Sequence, residues 1–377
     1  MSTSAVKKYL LMIAALCVAS ASFWAAQVIA QSQAPPATEE SKTAAQQFKN
    51  IQVLKDIPAD QLIPSMQFIA SSLGVECDFC HVDHEMQKDD KKTKQTARKM
   101  IAMELAINKA HFKDEIEVTC YTCHRGSIHP ARTPILTSDM TTASQPEHEE
   151  AGETKASLPT ADAILSRYLK VVGGAAAIEK IKTRIETGTL QAGKMQVPIT
   201  VYSEAPDKRI SISQMGGGES VTAFNGQAGW LTIRNGVHMM TAAERDAARI
   251  DAELSFPVRL PELYKEFRVK PGEEIDGHAT YLLIGKDVDT MRPVLHLYFD
   301  QQSGLLARQM RFAQTPLGRN PTQVDYADYR EIGGVKIPYR WTLARPNGSF
   351  TIQVNDVKQN VPIEPKLFVP PSRSVEK

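Results

Sequence analysis

Cys77-Asp78-Phe79-Cys80-His81 and Cys120-Tyr121-Thr122-Cys123-His124 are two C-x-x-C-H runs lying within fifty residues of each other. Two thiols at this spacing can form thioether bonds to the two vinyl groups of one haem, and the adjoining imidazole then serves as an axial iron ligand. One match alone is compatible with a thiol redox pair. Two matches, with Cys17 the only other cysteine in 377 residues, point to a module carrying two covalently bound haem c groups. Cys77, Cys80, Cys120 and Cys123 are the expected attachment residues, and His81 and His124 the expected proximal ligands.

Each run is preceded by a helical pattern. Ahead of the first, Leu62, Met66, Ile69 and Leu73 recur at i, i+4, i+7 and i+11, one face of a helix. Asp60 suits its N-cap, Pro64 its first turn and Gly74 its C-terminal stop. Ahead of the second, Thr96 to Phe112 carries Met100, Met103 and Ile107 on one stripe and Ile101, Leu105 and Phe112 on the next. The plan of helix, methionine, loop and motif therefore repeats, though Met66 lies eleven residues before Cys77 and Met100 twenty before Cys120.

The sixth ligand decides the chemistry. A methionine thioether closes the iron and raises its potential, whereas an open position permits peroxide chemistry. Met66 is the candidate for the first haem, and Met100, with Met103 as alternative, for the second. His84 and His111 could instead give bis-histidine ligation but read as surface residues. The basic run Lys88, Lys91, Lys92, Lys94, Arg98 and Lys99 is either a docking patch for a redox partner or a solvated helix start. Arg125, directly after the second motif, is placed to pair with a haem propionate or to stand free on the surface.

Residues 1–30 read as a secretory signal, with Lys7 and Lys8 before an apolar run and Val28-Ile29-Ala30 as the cleavage site. The competing reading is a retained anchor helix, since the run approaches a bilayer span. Export to the periplasm agrees with the haem motifs, because c-type cytochromes acquire their haem outside the cytoplasm. The balance of 44 basic and 43 acidic residues gives no global case for nucleic acid as a partner.

Residues 31–45 are a polar leader, 46–132 the di-haem cytochrome domain, and 133–158 a polar linker without periodicity. A helix at Thr160–Val172 opens the remainder, 159–377. Strand-like alternation follows at Val197–Tyr202, Lys208–Ser213, Trp230–Ile233, Ala279–Ile284, Val294–Phe299 and Thr351–Val354, with a helical stretch at about Thr241–Leu254. Turns at Asn225-Gly226, Ser303-Gly304 and Gly333-Gly334 predict a meandering antiparallel sheet. The fold class is thus a mainly α cytochrome module followed by an α+β domain.

Four stretches carry a family resemblance: Asn50-Ile-Gln-Val-Leu-Lys-Asp-Ile-Pro, Leu73-Gly-Val-Glu-Cys-Asp-Phe-Cys-His, Ala97-Arg-Lys-Met-Ile-Ala-Met-Glu-Leu-Ala-Ile-Asn and Val118-Thr-Cys-Tyr-Thr-Cys-His-Arg-Gly. Over residues 47–130 the chain resembles the photosynthetic reaction centre cytochrome c subunit family. In that family a helix methionine supplies the sixth ligand of most haems, and Met66 and Met100 match those positions. The family's reaction-centre members carry four haems, so two motifs resemble half the subunit. The resemblance implies single-electron transfer to a redox protein or membrane redox complex, a reaction centre among the choices. A di-haem peroxidase, or a lipid-binding protein with a redox-sensing haem module, are the rival readings.

More weakly, Val171-Val-Gly-Gly, Phe224-Asn-Gly-Gln-Ala-Gly-Trp, the run from Tyr326 to Trp341 and Phe368-Val-Pro are similar to outer-membrane lipoprotein-sorting-protein-like domains. That resemblance implies a curved half-barrel sheet around a cavity for a lipid or other apolar ligand.

Overall fold

Apolar spacing and a glycine stop set the helix ahead of the first motif, α1 (Leu62–Leu73), which follows a single helical turn at Ala44–Gln47 and ends at Gly74 in the left-handed conformation with φ of 68°. The computed structural model describes residues 42–130 and 158–371, apart from 216–217, 234–235, 288–292 and 347. The expected signal segment, most of the leader, and all of the expected linker except Leu158 fall outside the described residues.

Asp60 does not cap α1. It sits in a 3-10 turn, Ala59–Gln61, that leads into the helix, and Gln61 is the capping residue without a side-chain bond. The Ser65 hydroxyl donates back to the Gln61 carbonyl at 2.7 Å, adding a side-chain bond to that first turn. The second helix, α2 (Lys92–His111), begins four residues before the expected Thr96. Its start is fixed by tertiary bonds, since Lys91 and Thr93 donate to the carbonyls of Asp78 and Phe79. Ile101, Glu104 and Asn108 form its buried face, so polar side chains occupy core positions there. The third helix, α3 (Cys120–His124), consists of the second motif itself.

Among the described residues the remainder is built on thirteen antiparallel strands in one sheet, including β5 (Gly229–Ile233), β6 (Gly236–Met239), β7 (Tyr264–Pro271), β8 (Thr280–Asp287) and β9 (Pro293–Asp300), with the order β6-β5-β4-β3-β2-β1-β13-β12-β11-β10-β9-β8-β7. The elements used below are β1 (Thr183–Ala192), β2 (Met195–Glu204), β3 (Lys208–Met215), β4 (Gly218–Asn225), β10 (Leu306–Thr315), β11 (Gly318–Ile332), β12 (Val335–Arg345) and β13 (Gly348–Gln359). Each of the six strands anticipated from sequence lies within or against an observed one. The long-range pairing of β1 with β13 joins two meanders into one sheet. The ends β6 and β7 do not pair, so the sheet stays open.

Besides a single helical turn at Ala175–Ile178, three longer helices lie with the sheet among the described residues. Helix α4 (Ala161–Val171) is capped by Thr160, whose hydroxyl accepts from Ala163 N at 3.2 Å, and it buries Ile164, Leu165 and Tyr168. Helix α5 (Ala242–Ala252) carries a Thr241/Glu244 capping box. Asp251 on α5 takes both terminal nitrogens of buried Arg311 from β10, at 2.7 and 3.0 Å. Helix α6 (Phe256–Leu263) sinks Leu260 completely into the same core.

The hairpin joining β10 to β11 turns on only Pro316 and Leu317, with Thr315 paired to Gly318. Its tip leaves the sheet core and enters the helical one. Leu317 is fully buried among Leu62, Phe68, Ile69 and Ile101. Asn320 Nδ2 donates to the Pro64 carbonyl at 2.9 Å. A Cβ on Gly318 would lie 2.5 Å from the Phe68 ring, so only glycine fits there.

Candidate functional site

The first motif forms a 3-10 turn, Cys77–Phe79, closed by Cys80 N donating to Cys77 O at 3.3 Å, and His81 N donates to the same carbonyl at 3.0 Å. Both residues between its cysteines are held by α2 through the Lys91 and Thr93 bonds described above. A cavity of about 120 Å³ is lined by Cys77, Cys80, His81, Met66, Ile69 and Ile101 among others. The expected sixth ligand Met66 and the expected proximal ligand His81 therefore face the same space. Burial pushes the Cys80 thiol pKa up, which keeps it protonated.

His81 Nδ1 is 2.9 Å from the Met86 carbonyl. A carbonyl only accepts, so this nitrogen carries a proton and Nε2 is the one left free of a hydrogen bond among the described residues. His124 repeats the arrangement, with Nδ1 at 2.9 Å from the Ser127 carbonyl. Two imidazoles oriented with Nε2 free, each beside a pair of free thiols, fit covalent haem with histidine ligation.

The environments of the two motifs differ. At the first, the Met86 carbonyl also accepts from Lys94 Nζ at 2.8 Å. Lys94 is buried and paired with Asp89 at 3.0 Å, and Arg98 pairs with Asp89 at 2.9 Å. Lys94 and Arg98 both line the cavity. These two members of the basic run are thus internal, tied to one carboxylate, while Lys91 holds the motif loop. The Arg98 hydrogen bond, with help from Asn50 and Lys94, holds the Asp89 carboxyl far below the usual carboxylate range.

A depressed folded-state pKa gives stability that is complete above the unfolded value, about 3.9, and lost as pH falls through the folded value. Asp89→Asn is therefore expected to lower the melting temperature by several degrees near neutral pH. The gap to the parent protein should persist down to about pH 4 and close below it. Melting curves across pH 2–7 check this, and a gap unchanged at the acid end would contradict it.

At the second motif, Cys120 Sγ donates to Glu104 Oε2 at 2.9 Å, and Glu104 Oε1 is buried without a partner. Burial raises the Glu104 pKa; burial followed by the Glu104 contact raises that of Cys120. Buried Asn108 shapes the approach to the motif, donating to Val118 O at 2.7 Å and accepting from Val118 N at 3.0 Å. Between residues 100 and 128, on α2, on α3 and in the loops beside them, the large apolar residues Met100, Met103, Phe112, Ile116, Tyr121 and Ile128 are exposed.

Met100 and Met103 are 41% and 48% exposed, so burial does not separate them. Helix geometry does. Glu104 touches Cys120, and Met100, one turn earlier, is only about 40° round the helix from it, whereas Met103 is about 100° away. His84 is exposed beside Asp83 and His111 is exposed at the end of α2, so neither lines the first cavity.

The two motifs meet through glycine. Gly126 N donates to Ser72 O at 2.9 Å, and a Cβ on Gly74 would stand 2.3 Å from Gly126 O. The end of the Met66 helix thus abuts the turn that follows His124.

Sequence reasoning missed Glu104, Asn108, Asp89 and the carbonyls of Met86 and Ser127. Backbone acceptors leave no mark in a sequence. Glu104 and Asn108 did leave one: they stand three and seven residues after Ile101, on its face of the helix.

Residues 15–196 match the photosynthetic reaction centre cytochrome C subunit family. The chain is 36% identical over 101 residues to the photosynthetic reaction center cytochrome c subunit of Thermochromatium tepidum, covering 26% of this chain and 25% of that protein. It is 32% identical over 130 residues to the corresponding subunit of Roseobacter denitrificans, covering 30% and 34%. The match thus spans between a quarter and about a third of these curated relatives. Among solved structures, a LolA superfamily protein from Nitrosomonas europaea is similar over 56% of this chain and 99% of its own, at 14% identity and a TM-score of 0.39. A DUF1329 family protein from Desulfovibrio piger covers 55% and 96%, at 10% identity and the same TM-score.

Proposed function

We propose that this protein is an exported di-haem c-type cytochrome that passes single electrons to or from a redox protein or membrane redox complex. Cys77 and Cys80 would hold the first haem c with His81 and Met66 on its iron. Cys120 and Cys123 would hold the second with His124 and Met100. Each bound haem iron would supply a one-electron ferric/ferrous couple, and no bond-making residue is needed. The observation that carries the reading is the pair of imidazoles, each with Nδ1 tied to a carbonyl and Nε2 free beside two thiols.

The protein's own groups make the two sites unequal. Lys94 competes with His81 for the Met86 carbonyl, and Lys94 and Arg98 together outnumber Asp89 by one positive charge. Positive charge in a poorly hydrated shell disfavours the ferric state, so the first site has the higher potential and the second feeds it. The reaction-centre relatives make a reaction centre one candidate partner. Residues 46–132 serve as the cytochrome domain and 159–377 as a binding domain whose β10–β11 hairpin packs into it, with periplasmic placement following from the N-terminal signal. Among the described residues no helix is long and apolar enough to cross a membrane.

The test is a redox titration of the purified protein with absorption spectra. A mass corresponding to two haems, two one-electron steps and a thioether–iron charge-transfer band are expected. Met66→Leu should abolish the band of the higher-potential haem and lower its potential, while Met100→Leu should do so for the other. Unchanged spectra and potentials in both variants would overturn the axial assignment. The exposure of Met100 and Met103 favours one alternative, a peroxidase-type second site; a high-spin second haem in the oxidised parent protein would identify it.

A further inference from the structure

We propose that the cavity enclosed by the curved sheet is a binding site for an anionic amphiphile, an acidic group carried on an aliphatic chain. The cavity has a volume of about 460 Å³, within the roughly 300–1,000 Å³ range of small-molecule sites. Its two walls differ in chemistry.

One wall is polar and basic. Arg184 on β1 pairs in register with Ser203 on β2, which pairs with Arg209 on β3, and all three line the cavity. Strands lie about 4.8 Å apart, so two guanidinium groups flank one hydroxyl across roughly 10 Å of sheet. Ser211 and Ser213 continue the polar wall along β3, opposite Thr222 and Ser220 of β4. The other wall is apolar: Leu190, Ile352 and Trp341 form one cross-strand row, and Leu343 pairs with Phe350 in the next.

The cations exceed the carboxylates available to them. The Arg184 side chain is only 15% exposed, its carboxylate neighbour Glu186 stands 3.9 Å off, and its Nε is buried without a partner. Arg209 stacks on Trp341 at 5.5 Å and, like Arg345, which also lines the cavity, has no carboxylate within 4 Å among the described residues. Asp251 is occupied by Arg311, and Glu253 by Arg259 at 3.7 Å. A buried guanidinium with so little compensation is costly, and an acidic oxygen pair is the group whose geometry matches its fork. A short acid would leave the Leu190, Ile352 and Leu343 wall unused, and a neutral lipid would leave the arginines unpaired.

The measurement is calorimetric titration of the full haem-loaded protein with four probes: oleate, dioleoyl phosphatidylglycerol, oleyl alcohol and butyrate. Oleate, the phospholipid or both are expected to bind one to one, which also tells a fatty acid from a lipid headgroup as the source of the acid. Oleyl alcohol should bind at least about tenfold more weakly, since a charge-assisted bond is worth that factor or more, and butyrate likewise, since its short chain leaves the apolar wall unfilled. Arg184→Gln and Arg209→Gln should each weaken the acid by about ten- to hundredfold without changing the haem spectrum. Should Arg184→Gln fail to fold, Arg209→Gln and Arg345→Gln decide alone. Equal binding of alcohol and acid, equal binding of butyrate and oleate, undiminished binding in Arg209→Gln and Arg345→Gln, or no binding of any probe overturns the proposal. Because the haem spectrum is read in the same samples, none of these results bears on the electron-carrier reading.

Discussion

Gly74→Ala should destabilise the helical region by about 3–5 kcal/mol, placing it among the most damaging single-methyl additions available to this chain. Two penalties combine. An alanine at a φ of 68° costs on the order of 1 kcal/mol of backbone strain. Its Cβ would also stand 2.3 Å from the Gly126 carbonyl oxygen, a backbone atom that cannot swing aside. Relief requires α1 to withdraw from the turn after the second motif, breaking the Gly126 N to Ser72 O bond. Gly126→Ala is the control. Its φ is 80°, yet a Cβ there meets nothing within 4 Å, so only the strain of about 1 kcal/mol applies. Thermal unfolding of both variants, followed in the helical signal, checks the comparison. Equal losses would mean that conformation, and not the close approach of the two motifs, governs this junction.

The same junction marks the limit of what could be read from the sequence. Gly74 as a helix stop was legible, because a glycine after Leu62, Met66, Ile69 and Leu73 closes a local pattern. That it stops against Gly126 was not, since the contact joins residues fifty-two apart with no periodicity between them. The strands show a like division. Alternation located Lys208–Ser213 and Val197–Tyr202 inside β3 and β2, but the pairing of Arg184 with Ser203 and of Ser203 with Arg209 exists only once register is set. The similarity to lipoprotein-sorting domains implied an apolar cavity, whereas the lining has a basic, serine-rich side that side-chain direction alone creates.

At the haem motifs, Cys77, Cys80, His81, Cys120, Cys123 and His124 were plain because attachment demands fixed spacing. The groups that orient and charge them were hidden for separate reasons. Met86 and Ser127 act through carbonyls. Lys94 and Arg98 look like surface charge until Asp89, Gln87 and Asn50 fold over them. Glu104 breaks the rule that core helix positions are apolar, and such local violations tend to gather at functional sites.

Leu317→Ala should destabilise the protein by about 2–5 kcal/mol, as truncation of a fully buried leucine does. The consequence should also reach the first haem site from a strand turn some 250 residues away in sequence. Leu317 fills the core around Phe68 and Ile69, and Asn320 takes the Pro64 carbonyl, so the hairpin grips α1 on both sides of Met66. Loss of the leucine leaves a cavity beside that helix, and a thioether held only by helix position is then free to shift. On the proposed ligation, the potential and charge-transfer band of the Met66 haem should change while those of the Met100 haem stay fixed. Leu317→Met, which conserves volume, should cost less than about 1.5 kcal/mol and leave both potentials in place. A Leu317→Ala protein that is destabilised with both haems unaltered would make the hairpin a stabilising clasp alone. A selective shift of the first haem would make it part of that haem's shell. Because Gln309, Val324 and Tyr326 of the same hairpin line the sheet cavity, such a shift would mean that the cavity and the first haem share one structural element.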